Sequence, residues 1–231
     1  MYKRQDNWKI ISPDLTTNDK KLRNTSNGGG LTNSNTGGEN HFTIITISDT
    51  PIDTTLIWVG TDDGNVQVTR NNGNSWENVK NNIDGVPEKI WVSRVEASKH
   101  SKGRAYVSFD NHRFDDNKPY VFITEDYGKT WSNISSNLPQ DYSVYVIKED
   151  YVDENLLFVG TEKSVYFSND RGTTWEQLGS NLPTVAIHDL VIHPRDGDLV
   201  AGTHGRSIWI LDDISPLRFL NEKEDNLLPT R

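Results

Sequence analysis

The sequence predicts an all-β chain, a partial β-propeller of about four four-stranded antiparallel blades. Three observations carry this. One eight-residue pattern, [S/T]-x-[D/N]-x-G-x-[S/T]-W, occurs three times, at residues 69–76, 124–131 and 168–175, and repeats announce architecture before any single residue does. Short apolar runs flank each copy, and no long amphipathic helical stretch is present. Strand and turn formers dominate, with 7 Trp, 8 Tyr and 17 Gly in 231 residues. A β-sandwich also yields many short strands, but it does not repeat one turn signature in phase, whereas small sheets arranged radially do.

The elements follow in order. Residues 1–5 (Met-Tyr-Lys-Arg-Gln) look like a translated transposon end, a sequencing-adaptor scar read from a GTG start. Residues 6–40 are expected to hold the last strand of a truncated blade, with Trp8 in the position of a repeat tryptophan, followed by a long polar loop rich in Gly, Asn and Thr. Residues 41–217 hold the blades. The first has strands at 42–48, 56–60, 66–69 and 76–79. The second has strands at 91–97, 105–109, 120–124 and 131–134. The third has strands at 143–148, 156–160, 165–168 and 175–178, and the fourth at 187–193, 199–202 and 208–211. The fourth lacks the pattern, although Asp212 falls where its acidic residue would sit. The phrases Val59-Gly60-Thr61, Val159-Gly160-Thr161 and Ala201-Gly202-Thr203 align as one strand end in three blades. The pattern tryptophans lie 55 and 44 residues apart, so the second blade carries an insertion, residues 110–117. Residues 218–231 read as an exit linker. A piece bounded in this way exposes unpaired strand edges and is expected to aggregate or fold poorly alone.

Each pattern copy sits between two strand-like runs and is therefore a hairpin turn. The acidic or amide side chain (Asn71, Asp126, Asp170) accepts backbone N–H bonds inside the turn. Gly73, Gly128 and Gly172 supply positive φ. Trp76, Trp131 and Trp175 are large enough to wedge between neighbouring blades. Asn71 replaces the usual Asp, and its amide oxygen still accepts, without the charge-assisted contribution.

Composition excludes several classes of function. A net charge of −9 argues against nucleic-acid binding on a basic surface. Cysteine is absent, so neither a disulfide framework nor thiol chemistry is available. No stretch is apolar enough for membrane insertion. No phosphate loop or dinucleotide fingerprint occurs, and no cofactor is expected. His112, His188, His193 and His204 lack zinc-motif spacing. Residues 62–65 (Asp-Asp-Gly-Asn) and 115–117 (Asp-Asp-Asn) are hard-oxygen clusters that match no full calcium loop, and tight turns use the same residues, so no metal is expected.

The three-fold pattern resembles the Asp-box of BNR-repeat β-propellers, the group that includes sialidases, xyloglucanases and sortilin-type receptors. The stretches 58–66, 182–195 and 202–213 are more specific. They resemble bacterial proteins described as BNR/sortilin-like glycosyl hydrolases, and the likeness spans about residues 7–217. It implies an exported bacterial parent, located outside the cell, in the periplasm or at the cell surface, with further blades in the full-length chain. It also implies a module that binds a protein, peptide or glycan ligand. The alternative is a glycoside hydrolase related to xyloglucan-cleaving propellers. The hydrolase label in this group rests on fold kinship, which does not establish activity.

Propeller ligands bind near the central channel, on inner-strand ends and inter-blade loops, so the candidates come from there. The ligand-binding set is His41, Arg94, His112, Arg113, His188, His204 and Arg206. The insertion adds Asp110 and Asp115. A glycosidase needs two carboxylates flanking the scissile bond, and Glu39, Glu96, Asp116 and Asp189 are the candidates. Spacing alone selects no pair. Arg94, Arg113 and Arg206 would supply a sialidase-type arginine triad, although no flanking motif supports one.

Overall fold

A computed structural model describes residues 9–19, 42–179 and 181–220. The described residues form four antiparallel sheets, taken in chain order. Blade 1 comprises β1 (Ile44–Asp49), β2 (Ile57–Thr61), β3 (Val66–Thr69) and β4 (Glu77–Asn78). Blade 2 comprises β5 (Trp91–Ala97), β6 (Ala105–Asn111), β7 (Asp116–Thr124) and β8 (Ser132–Asn133). Blade 3 comprises β9 (Val144–Glu149), β10 (Leu157–Thr161), β11 (Val165–Ser168) and β12 (Glu176–Gln177). Blade 4 has three strands, β13 (Ile187–Ile192), β14 (Leu199–Thr203) and β15 (Ile208–Leu211), and the short helix α1 (Ser215–Arg218) follows. The first strands of successive blades lie side by side around one axis.

Hydrophobic burial between blades holds the fan together. Trp58, Val66 and Val68 of blade 1 meet Val92, Val107, Phe109 and Phe122 of blade 2. Tyr106, Val121 and Ile123 of blade 2 meet Ile147, Leu157, Val159 and Trp175 of blade 3. Phe158 and Phe167 of blade 3 meet Ile187, Leu190, Leu199 and Trp209 of blade 4. In blades 2 and 3 the second and third strands contribute alternate residues to the two interfaces, as the two-residue period of a strand requires.

The three box turns share one set of bonds. The hydroxyl of Thr69, Thr124 or Ser168 accepts the glycine N–H four residues on (2.9, 2.9 and 2.8 Å). The same hydroxyl donates to Asn71, Asp126 or Asp170 (2.9, 2.9 and 2.7 Å). That residue's Oδ1 accepts the N–H of Ser75, Thr130 or Thr174. In the two acidic boxes the Thr hydroxyl also donates to the carboxylate (2.7 and 2.6 Å). In the first box the direction reverses, and the Asn71 amide donates to Ser75 Oγ at 2.8 Å. The glycine is not alone in its left-handed backbone, because Asn72, Tyr127 and Arg171 before it also have φ of 56–64°.

The box glycines receive the preceding outer strand. A Cβ on Gly128 would meet Val79 at 2.9 Å, and one on Gly172 would meet Ile134 at 2.8 Å. Val79 and Ile134 lie three residues after Trp76 and Trp131. Gly73 is covered in the same way by Ile11, three residues after Trp8. Ile11 O also accepts Trp76 Nε1 (2.9 Å), as Ile134 O accepts Trp175 Nε1 (2.6 Å). Four residues further on, Leu15, Ile83 and Leu138 are all buried. Residues 11–15 therefore take the place on blade 1 that each outer segment takes on the next blade. Residues 9–19 form no strand, and Trp8 lies outside the described residues.

In the fourth blade, the register corrects the sequence alignment. Gly160 pairs with Val165, and Gly202 with Ile208. Asp213, not Asp212, therefore stands at the position of the box Asp170. Leu211 stands at the position of the Ser168 hydroxyl and cannot close a box. Asp213 instead accepts the Ser215 N–H at 3.0 Å and starts α1. Arg218 of α1 then reaches back to buried Asp150 of blade 3 (2.7 and 2.9 Å).

The insertion of blade 2 is an extended hairpin rather than a separate loop. Pairing continues to Asn111 and Asp116, and a 3-10 turn, His112–Phe114, closes it with Asp115 left-handed at φ 58°. The hydroxyls of Thr61, Thr161 and Thr203 accept turn N–H groups at the other three second-to-third strand hairpins. In blade 2 Phe109 stands at that position, so no hydroxyl closes the turn there.

Candidate functional site

The four inner strands share one irregularity. Pairing with the second strand skips a residue at Ile45, Ser93, Tyr145 and His188, a β-bulge at the same place in each blade. Bulges re-aim side chains, and those of blades 3 and 4 bring Tyr145 and His188 together at the channel mouth, beside the second-to-third strand hairpins. The partner position explains the recurring glycine. A Cβ on Gly60 would sit 2.4 Å from Val92, and one on Gly160 would sit 2.8 Å from Ile187, so in blades 1 and 3 the next inner strand occupies the space a side chain would take. Blade 2 has Ser108 there, and its hydroxyl bonds Ser93 Oγ (2.8 Å), which donates to Val144 O (2.7 Å).

A row of rings forms at the mouth. Tyr145 and His188, the bulge residues of blades 3 and 4, stack with centroids 4.5 Å apart and planes 14° apart. His204, on the β14–β15 turn, tilts against His188 at 5.1 Å. His112, on the extended hairpin, meets the edge of Tyr145 at 6.3 Å. At the blade 2 end, the Arg113 guanidinium lies 3.5 Å over the Trp91 ring, within cation–π range.

Carboxylates orient this row. Tyr145 donates to Glu162 Oε2 at 2.6 Å, and His112 Nδ1 contacts buried Asp110 Oδ2 at 2.6 Å. Arg94 Nη2 donates to Asp189 Oδ1 at 2.7 Å, linking the inner strands of blades 2 and 4 past blade 3. Burial, then the bond to Glu162 and the charge of Asp110, push the Tyr145 hydroxyl well above its ordinary value, so it stays a donor. Burial and the neighbouring His204 hold His188 below the ordinary imidazole value. His188 is therefore neutral at pH 7, and its face is free to stack.

Of the sequence candidates, Arg94, His112, Arg113, His188, His204 and Asp189 all come to this mouth, together with Asp110. Arg206 shares the β14–β15 turn, where its N–H bonds Thr203 Oγ1 and its carbonyl accepts Trp209 Nε1. Glu39 and His41 lie outside the described residues. Glu96 sits elsewhere. It is buried toward the far end of β5, and Lys148 (2.8 Å) and Lys99 (3.1 Å) pair with it. Asp116 braces the hairpin, accepting from Tyr120 (2.7 Å) and Asn111 (3.0 Å). Asp62 and Asp63 tie down the chain, accepting from the Thr43 N–H and from Thr17. Tyr145, Glu162 and Trp91 were missed by sequence reasoning. Aligning the blades on Gly160 and Gly202 puts Tyr145 on Ile187, one residue short of His188, and only the strand pairing makes the two equivalent.

The comparisons with known proteins agree on architecture. The Sortilin-Vps10 family, described as sortilin, neurotensin receptor 3, matches residues 119–213, from β7 through β15. The fold is a β-propeller, and the matched residues 119–213 are sortilin-like. Among solved structures, YCF48 bound to a D1 peptide aligns at 21% identity and a TM-score of 0.54, over 74% of this chain and 51% of that one. A GH74 xyloglucanase from Xanthomonas campestris aligns at 13% identity and 0.56, over 75% and 30%. The extracellular domain of a one-component system from B. thetaiotaomicron aligns at 16% and 0.55, over 74% and 21%. The chain thus spans about half or less of the length of these structures. No curated protein matches it.

Proposed function

We propose that the channel mouth is a binding site for an extended peptide or protein segment, in a protein that works outside the cytoplasm. The stacked Tyr145–His188–His204 row carries this reading. Tyr145 and His188 stack from the bulges of successive inner strands, His204 tilts against them from a turn, and Glu162 and Asp110 hold Tyr145 and the adjoining His112, so the platform is preorganised, which lowers the cost of binding. Arg113, 3.5 Å over the Trp91 ring, adds a cation beside it. The peptide named with YCF48 and the sortilin family match support a peptide or protein over a glycan. The extracellular domain among the similar structures supports the location.

The carboxylate chemistry favours binding over hydrolysis. Glu96 and Asp116 are occupied by internal bonds, and Asp189 holds Arg94. A retaining or inverting glycosidase needs two carboxyls facing each other across the substrate, and these three residues do not supply that arrangement. The test is selection of a random peptide library on the 231-residue chain, with Tyr145→Ala and His188→Ala proteins as counter-targets. Peptides that bind the parent and lose at least tenfold affinity for both variants support the site. Peptides that bind all three proteins equally sink it. Release of soluble sugar from plant or microbial polysaccharides would replace it with the hydrolase reading.

A further inference from the structure

Blade 4 and residues 9–11 are complementary halves of one unit. In blades 1 to 3 the third strand carries a two-residue outer strand: Gln67 and Val68 pair with Asn78 and Glu77, Phe122 and Ile123 with Asn133 and Ser132, and Tyr166 and Phe167 with Gln177 and Glu176. The paired residues lie one and two places after the box tryptophan. In blade 4, no described strand pairs with the outer edge of β15. At the other end of the chain, Lys9 and Ile10 stand one and two places after Trp8, and Ile10 is 89% exposed. Ile11 beside them is already seated in the first box, as Val79 and Ile134 are seated in the next two.

The faces match as well as the edges. Ile208 and Ile210 occupy the positions at which Val66 and Val68, or Val165 and Phe167, pack on the next blade, yet they are 69% and 60% exposed. Gly202 is the open counterpart of Gly60 and Gly160. A Cβ there would meet only Asp189 of its own blade, at 3.7 Å. Ile44, the blade 1 equivalent of Val92 and Ile187, is exposed, and so is Ile47. One end of the chain thus presents the socket, and the other presents the residue that fills it.

We propose that a second copy of this chain docks here. Its Lys9–Ile10 pairs with Ile210–Trp209 of β15, and its Ile44 enters the gap over Gly202. The contact is heterologous, so a pair closes when both copies make it, by two-fold symmetry. Such a pair carries eight blades, within the range of closed propellers. The bonds are those that the chain already makes three times internally, and they cover an edge and an apolar face that would otherwise stay open to water.

Sedimentation velocity on the 231-residue chain tests this. The expected species is a dimer. Ile10→Asp and Ile210→Lys alter the two sides of the contact at exposed positions, and each should give a folded monomer with an unchanged circular dichroism spectrum. Mixing the two variants leaves one contact intact, β15 of the Ile10→Asp chain with Lys9–Ile10 of the Ile210→Lys chain, and should give a heterodimer that is weaker than the parent dimer and that neither variant forms alone. A parent chain that stays monomeric up to its solubility limit overturns the proposal. Association that survives both substitutions, or that mixing fails to restore, overturns it equally.

Discussion

Gly160→Ala and Gly202→Ala make the same change in the same phrase of two blades, and the structure separates them. A Cβ on Gly160 would lie 2.6 Å from Val146 Cγ1 and 2.8 Å from both Ile187 Cγ2 and Ile187 O. Two of these contacts are side-chain methyls on neighbouring inner strands, and the third is backbone, so no single rotamer change relieves them. Overpacking of a dense core costs about 1–3 kcal/mol, and three contacts below 3 Å put Gly160→Ala at the upper end, ~3 kcal/mol. In a chain of this length, that lowers the thermal midpoint by roughly 6–12 °C. Gly202 has its nearest neighbour at 3.7 Å and lies outside the left-handed region. Its replacement reduces unfolded-state freedom and stabilises by about 0.4–1 kcal/mol. Calorimetric melts of both variants, made in the Ile210→Lys background to keep association out of the comparison, read the difference directly. Equal midpoints would refute the view that this glycine exists to admit the next inner strand.

The boxes supply a second contrast. Asp170→Ala removes the acceptor for the Thr174 N–H and for the Thr174 and Ser168 hydroxyls, and should cost ~1–2 kcal/mol in urea melts. Asn71→Asp, which restores the usual acceptor, should stay within about 0.5 kcal/mol of the parent. Acid should destabilise the fold. Burial raises the Asp150 and Asp170 carboxyls, but Arg218 bonds at the first and Thr174 bonds at the second outweigh it, and both are held below their ordinary value. Their contribution is complete above the unfolded carboxyl pKa of about 3.9 and is lost as pH falls through the lower folded values. Midpoints recorded from neutral pH downward should drop in that window, and Asp150→Asn should flatten the drop. Burial and the neighbouring His204 hold His188 below the ordinary imidazole value. Its proton NMR midpoint should lie below that of a free imidazole and rise in His204→Ala, and an unchanged midpoint would remove the electrostatic coupling between the two rings.

Much of the fold was legible because its signals are local. The turn bonds of the Asp-box lie within seven residues, from Thr69 Oγ1 to the Ser75 N–H, so the pattern could be read without knowing what surrounds it. The strands flanking each box alternate at a period that local sequence displays. The fourth blade shows the limit. Asp212 and Asp213 are neighbours in sequence, and only pairing of Gly202 with Ile208 decides which of them takes the box position. Glu96 looked like a channel carboxylate because it lies on an inner strand, and its burial between Lys99 and Lys148 depends on a residue 52 positions away.

The repeat tryptophans, the box hydroxyls and the Gly-Thr strand ends were determined by the sequence alone, since each follows from bonds or steric limits among near neighbours. The ring row of Tyr145, His188 and His204 was decided by the tertiary structure. A bulge is a mismatch between two paired strands, so its position is a property of the pairing and not of either strand. Which rings then meet depends on how closely the next blade can approach, and that distance is set by a glycine on a different strand.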